Sequence, residues 1–253
     1  FCPHSRMIFS LSSSFMEDEL YEKIIRECGQ NRVKMLHLHN FGEPLLDKKL
    51  PQRVRFAKDQ GIERVKIFCN GALLRGDIAE RLLDCGLDEI KISLDGANSQ
   101  EFNELRIGLN HQQVVENTRT FKQLRDERGS GPKITGACTV SSDKEQTETL
   151  LADVVDQIDW ARLHNWAGGR KLLGSEKIRR PCDRLWRTMT VLVNGDVALC
   201  CLDYSGKEIL GNAGETSLKD IWNNKRYREL RKLHRQSRQD QIALCNNCTK
   251  SYY

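Results

Sequence analysis

Residues 77–94 read DIAERLLDCGLDEIKISL, and the fold follows from the change of period inside that stretch. Apolar side chains recur at helical spacing from Asp77 to Cys85, and Glu89 to Leu94 is then a short apolar run of strand character. Between them stands Gly86, where a helix that must turn at once into a strand needs a left-handed C′ residue. Gly61 holds the same place one unit earlier, between a helical pattern from Lys48 to Gln60 and a strand-like run from Val65 to Cys69.

The unit repeats in both directions. Toward the N-terminus, a helix from Glu17 to Cys28 leads to a strand from Val33 to His39. Toward the C-terminus, a long helix from about Gln112 to Glu127 precedes a strand from Lys133 to Val140. A helix from Glu145 to Gln157 then precedes a strand from Trp160 to Asn165. Strands that each follow a helix are the pattern of β/α units around a parallel sheet. After Trp166 the alternation stops, because Ala167, Gly168 and Gly169 lead into a basic stretch ending at Pro181. A domain boundary is expected there, near residue 175. Beyond it, Met189 to Val193 and Val197 to Leu202 flank Asn194-Gly195, a strong hairpin signal. A helix from Leu218 to His234 follows, with Ser217 as its N-cap.

The 253 residues suffice for one large core and a small appended module. No apolar run approaches the ~18 residues of a spanning helix, and the start lacks the shape of a signal peptide. A soluble, cytoplasmic protein is therefore expected. The net charge of +5 permits an anionic partner without demanding one. The basic cluster Lys225, Arg226, Arg228, Arg231, Lys232, Arg235 and Arg238 reads as a solvated helix face.

Ten cysteines say more than the charge. In a chain of this size, with cysteines inside strand-like segments, they point to metal or cluster ligation rather than disulfides. Cys182, Cys200, Cys245 and Cys248 form the strongest set: a Cys-x-x-Cys pair bites one centre, and a cysteine leaving a hairpin strand helps close the shell. Spacing alone leaves zinc and iron–sulfur equally open. Cys201 points to the opposite side of its strand from Cys200. Cys28, Cys69, Cys85 and Cys138 read as small apolar fillers.

Three segments in the first half decide between these metals, because in this order they resemble the radical S-adenosylmethionine (SAM) superfamily. Phe1-Cys2-Pro3-His4-Ser5 is similar to the tail of the family's Cys-x-x-x-Cys-x-aromatic-Cys loop. Asn40-Phe41-Gly42-Glu43-Pro44 is similar to its Gly-Gly-Glu-Pro motif, with Phe41 in place of the first glycine. Ile92-Ser93-Leu94-Asp95-Gly96, followed by Glu101 and by Arg106-x-Gly108, resembles the segment at the family's fourth barrel strand. In the second half, Gly195 to Cys200, Gly211-Asn212, Ile221-Trp222-Asn223 and the closing Cys-x-x-Cys look like the SPASM and shortened twitch modules.

The resemblance implies an α/β architecture: a partial (β/α)6 TIM-type barrel over residues 1–175, its first strand and two cluster cysteines lying upstream of Phe1. Residues 176–253 would form a small α+β module that binds an auxiliary cluster, a β-hairpin plus helix. It also implies the cofactors: a SAM-binding 4Fe–4S cluster with Cys2 as one ligand, SAM itself, and a second 4Fe–4S cluster on Cys182, Cys200, Cys245 and Cys248. Gly42, Glu43 and Pro44 would receive the SAM amino group, Ser93 and Arg106 its carboxylate in the segment that contains Asp95, and Leu163 its adenine. The implied chemistry is cleavage of SAM to a 5′-deoxyadenosyl radical that abstracts hydrogen from a small-molecule or peptide substrate. Flavodoxin or ferredoxin would be the electron donor. With four cysteines the auxiliary cluster has no open iron, which suits electron acceptance and net oxidation of a sugar or aminocyclitol. Peptide or protein modification is the competing reading, and a zinc-stabilised or degenerate binding module is the reading from another class. RNA modification ranks below them, because only Trp222 and Tyr227 interleave the basic helix. His37, His39 and Arg162 are general-base candidates only by position, and each reads first as a buried, satisfied residue, so no catalytic residue is assigned.

Overall fold

The computed structural model describes residues 15–167 and 180–249. Cys2 and the boundary expected near residue 175 lie outside them. Two compact units emerge: one is Arg32–Leu163, and the other joins residues 15–31 to the described residues from His164 onward. The opening helix α1 (Asp18–Gln30) therefore belongs to the second unit, although its sequence reads as the first β/α element.

The first unit is a parallel sheet of β1 (Met35–His37), β2 (Arg64–Cys69), β3 (Glu89–Ser93), β4 (Lys133–Cys138) and β5 (Gln157–Trp160). Sheet order equals chain order. The crossovers carry α2 (Leu50–Asp59), α3 (Gly76–Leu83), α4 (Ser99–Leu105) with α5 (His111–Arg128), and α6 (Lys144–Leu151). An order that never reverses is the winding of a TIM-type barrel and not of a doubly wound sheet, which turns back at a switch point. The two faces differ chemically. One carries Ile67, Ile90, Ile92 and Ile134, all fully buried, and each contributes roughly 1.5–3 kcal/mol. The alternate positions carry Lys66, Glu89, Lys91, Thr135 and Asp159, linked by ion pairs from Lys66 and Lys91 to Glu89 and from Lys91 to Asp159. Burial alone would raise the Glu89 pKa, but Lys66, then Lys91 and the Thr135 hydroxyl, hold it below the usual range.

Turn chemistry behaves as the sequence predicts at Gly61 and Gly86, both at φ +82°. Gly96 is more demanding, because at φ +90° a Cβ would stand 2.8 Å from the Phe102 nitrogen. Gly96→Ala is therefore expected to cost roughly 2–4 kcal/mol in urea unfolding, from a strained φ plus a backbone clash. Gly61→Ala, with open space around its Cβ, should cost only about 1–2 kcal/mol.

Some element bounds differ from the sequence pattern. The strand expected from Trp160 to Asn165 lies earlier, at Gln157–Trp160, because α6 stops at Leu151 and register pairs Thr135 with Gln157. The pattern also hides α4, whose start is set by Asn98 accepting the Glu101 amide.

In the second unit, α7 (Arg184–Arg187) precedes an antiparallel sheet of β6 (Thr190–Val191), β7 (Asp196–Ala198) and β8 (Ile209–Asn212). The expected hairpin is present, and β8 is a third strand beyond it. The single helix expected from Leu218 to His234 is two, α8 (Leu218–Trp222) and α9 (Lys225–Arg235). The break has a local cause: the Asn224 side chain caps α9 by accepting the Tyr227 amide and also donates to the Leu210 carbonyl. Not all of the basic cluster faces solvent. Arg231 lies over the rings of Trp222 and Tyr227 at 4.3 and 4.6 Å and donates to the Leu185 carbonyl. Glu27 of α1 accepts the Leu218 amide at 2.6 Å, which fastens α1 to the start of α8.

Among the described residues no helix is long and apolar enough to cross a membrane.

Candidate active site and metal centre

In a parallel barrel the loops after successive strands gather at the carboxyl edge, so the candidate SAM residues share that edge by topology. Gly42, at φ +101°, lets the chain turn sharply after β1. The next residue braces the mouth: the Glu43 carboxylate accepts the Leu45 amide at 3.0 Å and the Asn70 amide at 2.7 Å, tying the loop after β1 to the loop after β2. Burial raises its pKa against those two hydrogen bonds. Pro44 opens the short 3-10 turn that Glu43 caps.

Ser93 ends β3, and two residues on Asp95 is buried at 1% exposure. Oδ1 of Asp95 accepts the amides of Thr139 and Val140, the latter at 3.0 Å, while Oδ2 accepts Arg106 Nε at 2.9 Å. Arg106, paired with Ser93 in the sequence expectation, is held in a fork on Asp95. Glu101 adds a second brace, accepting the amides of Ala97 and Ser142 at 2.7 and 2.8 Å. Leu163, three residues past β5, is half exposed.

His37 and His39 lie at the end of β1, with ring centroids 5.3 Å apart, and His39 sits 5.6 Å from Phe68. Nδ1 of His39 is buried without a hydrogen-bond partner among the described residues. Burial first, and the neighbouring His37 second, push its pKa down to about 3, so the ring is neutral near pH 7. The folded value lies below the ordinary 6.5, so the unfolded chain binds this proton first on acidification. The stabilising contribution is full above pH 6.5 and is lost as pH falls toward 3. Urea midpoints are accordingly expected to drop between pH 7 and pH 5, and less steeply in His39→Gln.

Within the second unit, the four cysteines singled out in the sequence, Cys182, Cys200, Cys245 and Cys248, line one cavity together with Arg184, Ala167 and the side chains of Leu185, Leu199, Leu202 and Leu244. Burial raises the thiol pKa of Cys182 and pushes that of Cys200 up to about 12. Among the described residues no three His, Cys, Asp or Glu side chains meet around a single ion. Four soft sulfur donors around one cavity nevertheless fit an iron–sulfur cage, whose ligands stand farther apart than those of a lone ion. Cys201 is turned elsewhere and accepts from Arg184 Nη1 at 3.1 Å.

Two polar residues of this centre escape sequence reasoning. His234 of α9, 1% exposed, lines the cavity and accepts the Cys182 amide on Nδ1 at 3.2 Å. Asn165 clamps the Cys-x-x-Cys loop: it donates to the Asn247 carbonyl, and its Oδ1 accepts the Thr249 amide at 2.9 Å. Nothing in a lone asparagine after a strand signals this. Asn165→Ala is expected to cost roughly 1–3 kcal/mol of stability and to raise the rate of iron loss to a chelator.

Comparison with known proteins follows the same division. A model described as the Radical SAM superfamily matches residues 1–131, and one described as an iron-sulfur cluster-binding domain, SPASM, matches residues 182–249. The "S-adenosyl-L-methionine-dependent 2-deoxy-scyllo-inosamine dehydrogenase" of Niallia circulans is 23% identical over 251 residues, 98% of this chain and 86% of that protein. A "Probable GTP 3',8-cyclase" of Methanococcus maripaludis is 33% identical over 92 residues, 36% of this chain and 30% of the cyclase. The crystal structure of BtrN in complex with AdoMet and 2-DOIA superposes with a TM-score of 0.69 at 22% identity, covering 98% of this chain and 86% of BtrN. Streptococcus suis SuiB bound to precursor peptide SuiA gives 0.70 at 17%, covering 91% and 63%. At these identities the two structures establish a shared fold alone.

Proposed function

The chain belongs to the radical SAM superfamily, and from that premise we propose that it oxidises an alcohol of a sugar or aminocyclitol. When bound, the two clusters supply respectively the electron that cleaves SAM to methionine and a 5′-deoxyadenosyl radical, and an acceptor for the electron the substrate gives up. In this reading Cys2 is a ligand of the first, and Cys182, Cys200, Cys245 and Cys248 hold the second. The main chain of Gly42, Glu43 and Pro44 offers carbonyls to the SAM ammonium, whose three donors need acceptors. Ser93 and Arg106 take the SAM carboxylate, with Asp95 aiming the guanidinium, and Leu163 covers the adenine. The hydroxyl proton passes to a general base at the barrel mouth, for which His37 is a candidate by its position at the end of β1. The carbinol hydrogen atom goes to the 5′-carbon, the hydroxyl proton to that base, and one electron to the acceptor, leaving a ketone.

The observation that carries this reading is that Cys182, Cys200, Cys245 and Cys248 line one cavity. A cluster so ligated has no vacant iron for substrate and is suited to electron transfer. The 23% identity to the inosamine dehydrogenase, over nearly the whole chain, favours a carbohydrate-like alcohol. A second reading, modification of a ribosomally made peptide, draws on the likeness to SuiB with its precursor peptide.

The test is anaerobic incubation of the reconstituted protein with SAM, a reductant and aminocyclitols or pyranoses deuterated at the carbinol carbon. Deuterium in the 5′-deoxyadenosine together with ketone formation supports the reading. Deuterium transfer only from a labelled peptide overturns it in favour of the second.

A further inference from the structure

We propose that His234 is a positioning residue of the auxiliary centre, a hydrogen-bond donor aimed at the cluster and held in one tautomer by the backbone of Cys182. This deepens the reading that the four cysteines hold an iron–sulfur cluster, and it rests on that reading.

The inward face of α9 carries Tyr227, Leu230 and His234, all at most 1% exposed, and the His234 ring meets the edge of Trp186 at 6.4 Å. Nδ1 accepts the Cys182 amide at 3.2 Å, so that nitrogen carries a lone pair and the ring proton is on Nε2. Nε2 is itself buried, and the residue stands among the four cysteines in a cavity whose remaining lining is Ala167, Arg184 and four leucines. An imidazole in apolar walls carries a desolvation cost that a leucine in the same place would not. Sulfur acceptors in the cavity offset it. The Cys182 amide acts here at one remove: by donating to Nδ1, it excludes the tautomer that would present a lone pair to the cluster.

Donation to cluster or ligand sulfur stabilises the reduced, more negative state and so raises the reduction potential. The asparagine and glutamine variants separate the two nitrogens. His234→Asn keeps an acceptor where Nδ1 was and removes the donor at the Nε2 position, whereas His234→Gln keeps a donor at the Nε2 position and loses the acceptor.

The experiment is redox titration of the auxiliary cluster in the reconstituted protein, followed by EPR, with iron, sulfide and zinc measured on the same samples. The expected result is that His234→Asn retains wild-type iron but shifts the oxidised-to-reduced ratio at a fixed poise about tenfold toward oxidised, about 59 mV for one electron. Its EPR line shape should change, and His234→Gln should recover most of the potential on whatever cluster it holds. Wild-type potential and line shape in a fully loaded His234→Asn would overturn the proposal and reduce His234 to a filler of the wall. Zinc without iron in the wild-type chain would instead defeat the cluster reading beneath it.

Discussion

Cys248→Ser is expected to remove about four irons per chain and to abolish net oxidation of substrate while leaving SAM cleavage measurable. The reasoning is geometric. Cys248 closes the loop that begins at Cys245, with its amide donating to the Cys245 carbonyl at 3.1 Å and both thiols on the same cavity. Serine keeps the turn and the size, but it presents a hard oxygen with a shorter reach where a soft thiolate is needed. Without a fourth thiolate the cage is labile, and the electron left on the substrate has no acceptor, so turnover should fall by a factor of at least about 10². Cys201→Ser is the matched control. Its sulfur faces Arg184 and does not line the cavity, so its iron content should equal that of the wild type. Metal analysis and product formation on both variants decide the matter. Unchanged iron in Cys248→Ser, or iron loss in Cys201→Ser, would mean that the ligand set is wrong.

Arg106→Ala is expected to lower stability by about 3 kcal/mol and to weaken SAM binding by at least about tenfold. Asp95 has a fully buried side chain whose Oδ2 is neutralised by the Arg106 fork, so truncating Arg106 leaves a carboxylate in the interior with only two backbone amides. A lysine restores charge but not the planar fork, and Arg106→Lys should recover part of the stability and less of the affinity. Coupling provides a sharper check. The double variant Asp95→Asn with Arg106→Ala should be more stable than the sum of the single losses predicts, by about 0.5–3 kcal/mol, because the orphaned charge is gone. Urea unfolding and calorimetric SAM titration measure the two effects separately. A folded Arg106→Ala with undiminished SAM affinity would confine the pair to a structural role.

The sequence disclosed the fold wherever a single period dominated a segment. Val65 to Cys69 and Glu89 to Leu94 are short strand-like runs, each preceded by a glycine, Gly61 or Gly86, that leaves the helix at φ +82°, so strands and turns there could be read directly. Where local signals compete, legibility failed. Leu218 to His234 holds one helical stripe, yet Asn224 offers the backbone a better partner than the helix does and splits it. The shift of β5 to Gln157–Trp160 is a register effect, set by pairing with β4 and invisible in one strand alone. The site shows the same divide. The cysteines were legible because ligand chemistry restricts residue type and spacing. Glu43, Asp95, Asn165 and His234 work through contacts reaching across 27, 44, 82 and 52 residues, and no local pattern encodes those.

The central claim is that thiolates of this chain hold iron–sulfur cages, one with SAM and one without. Mössbauer spectroscopy on ⁵⁷Fe-labelled, anaerobically purified full-length protein tests it most directly. The account predicts about eight irons per chain in two 4Fe–4S signatures, only one of which responds to added SAM. A single zinc per chain, or two clusters that both ignore SAM, would contradict it.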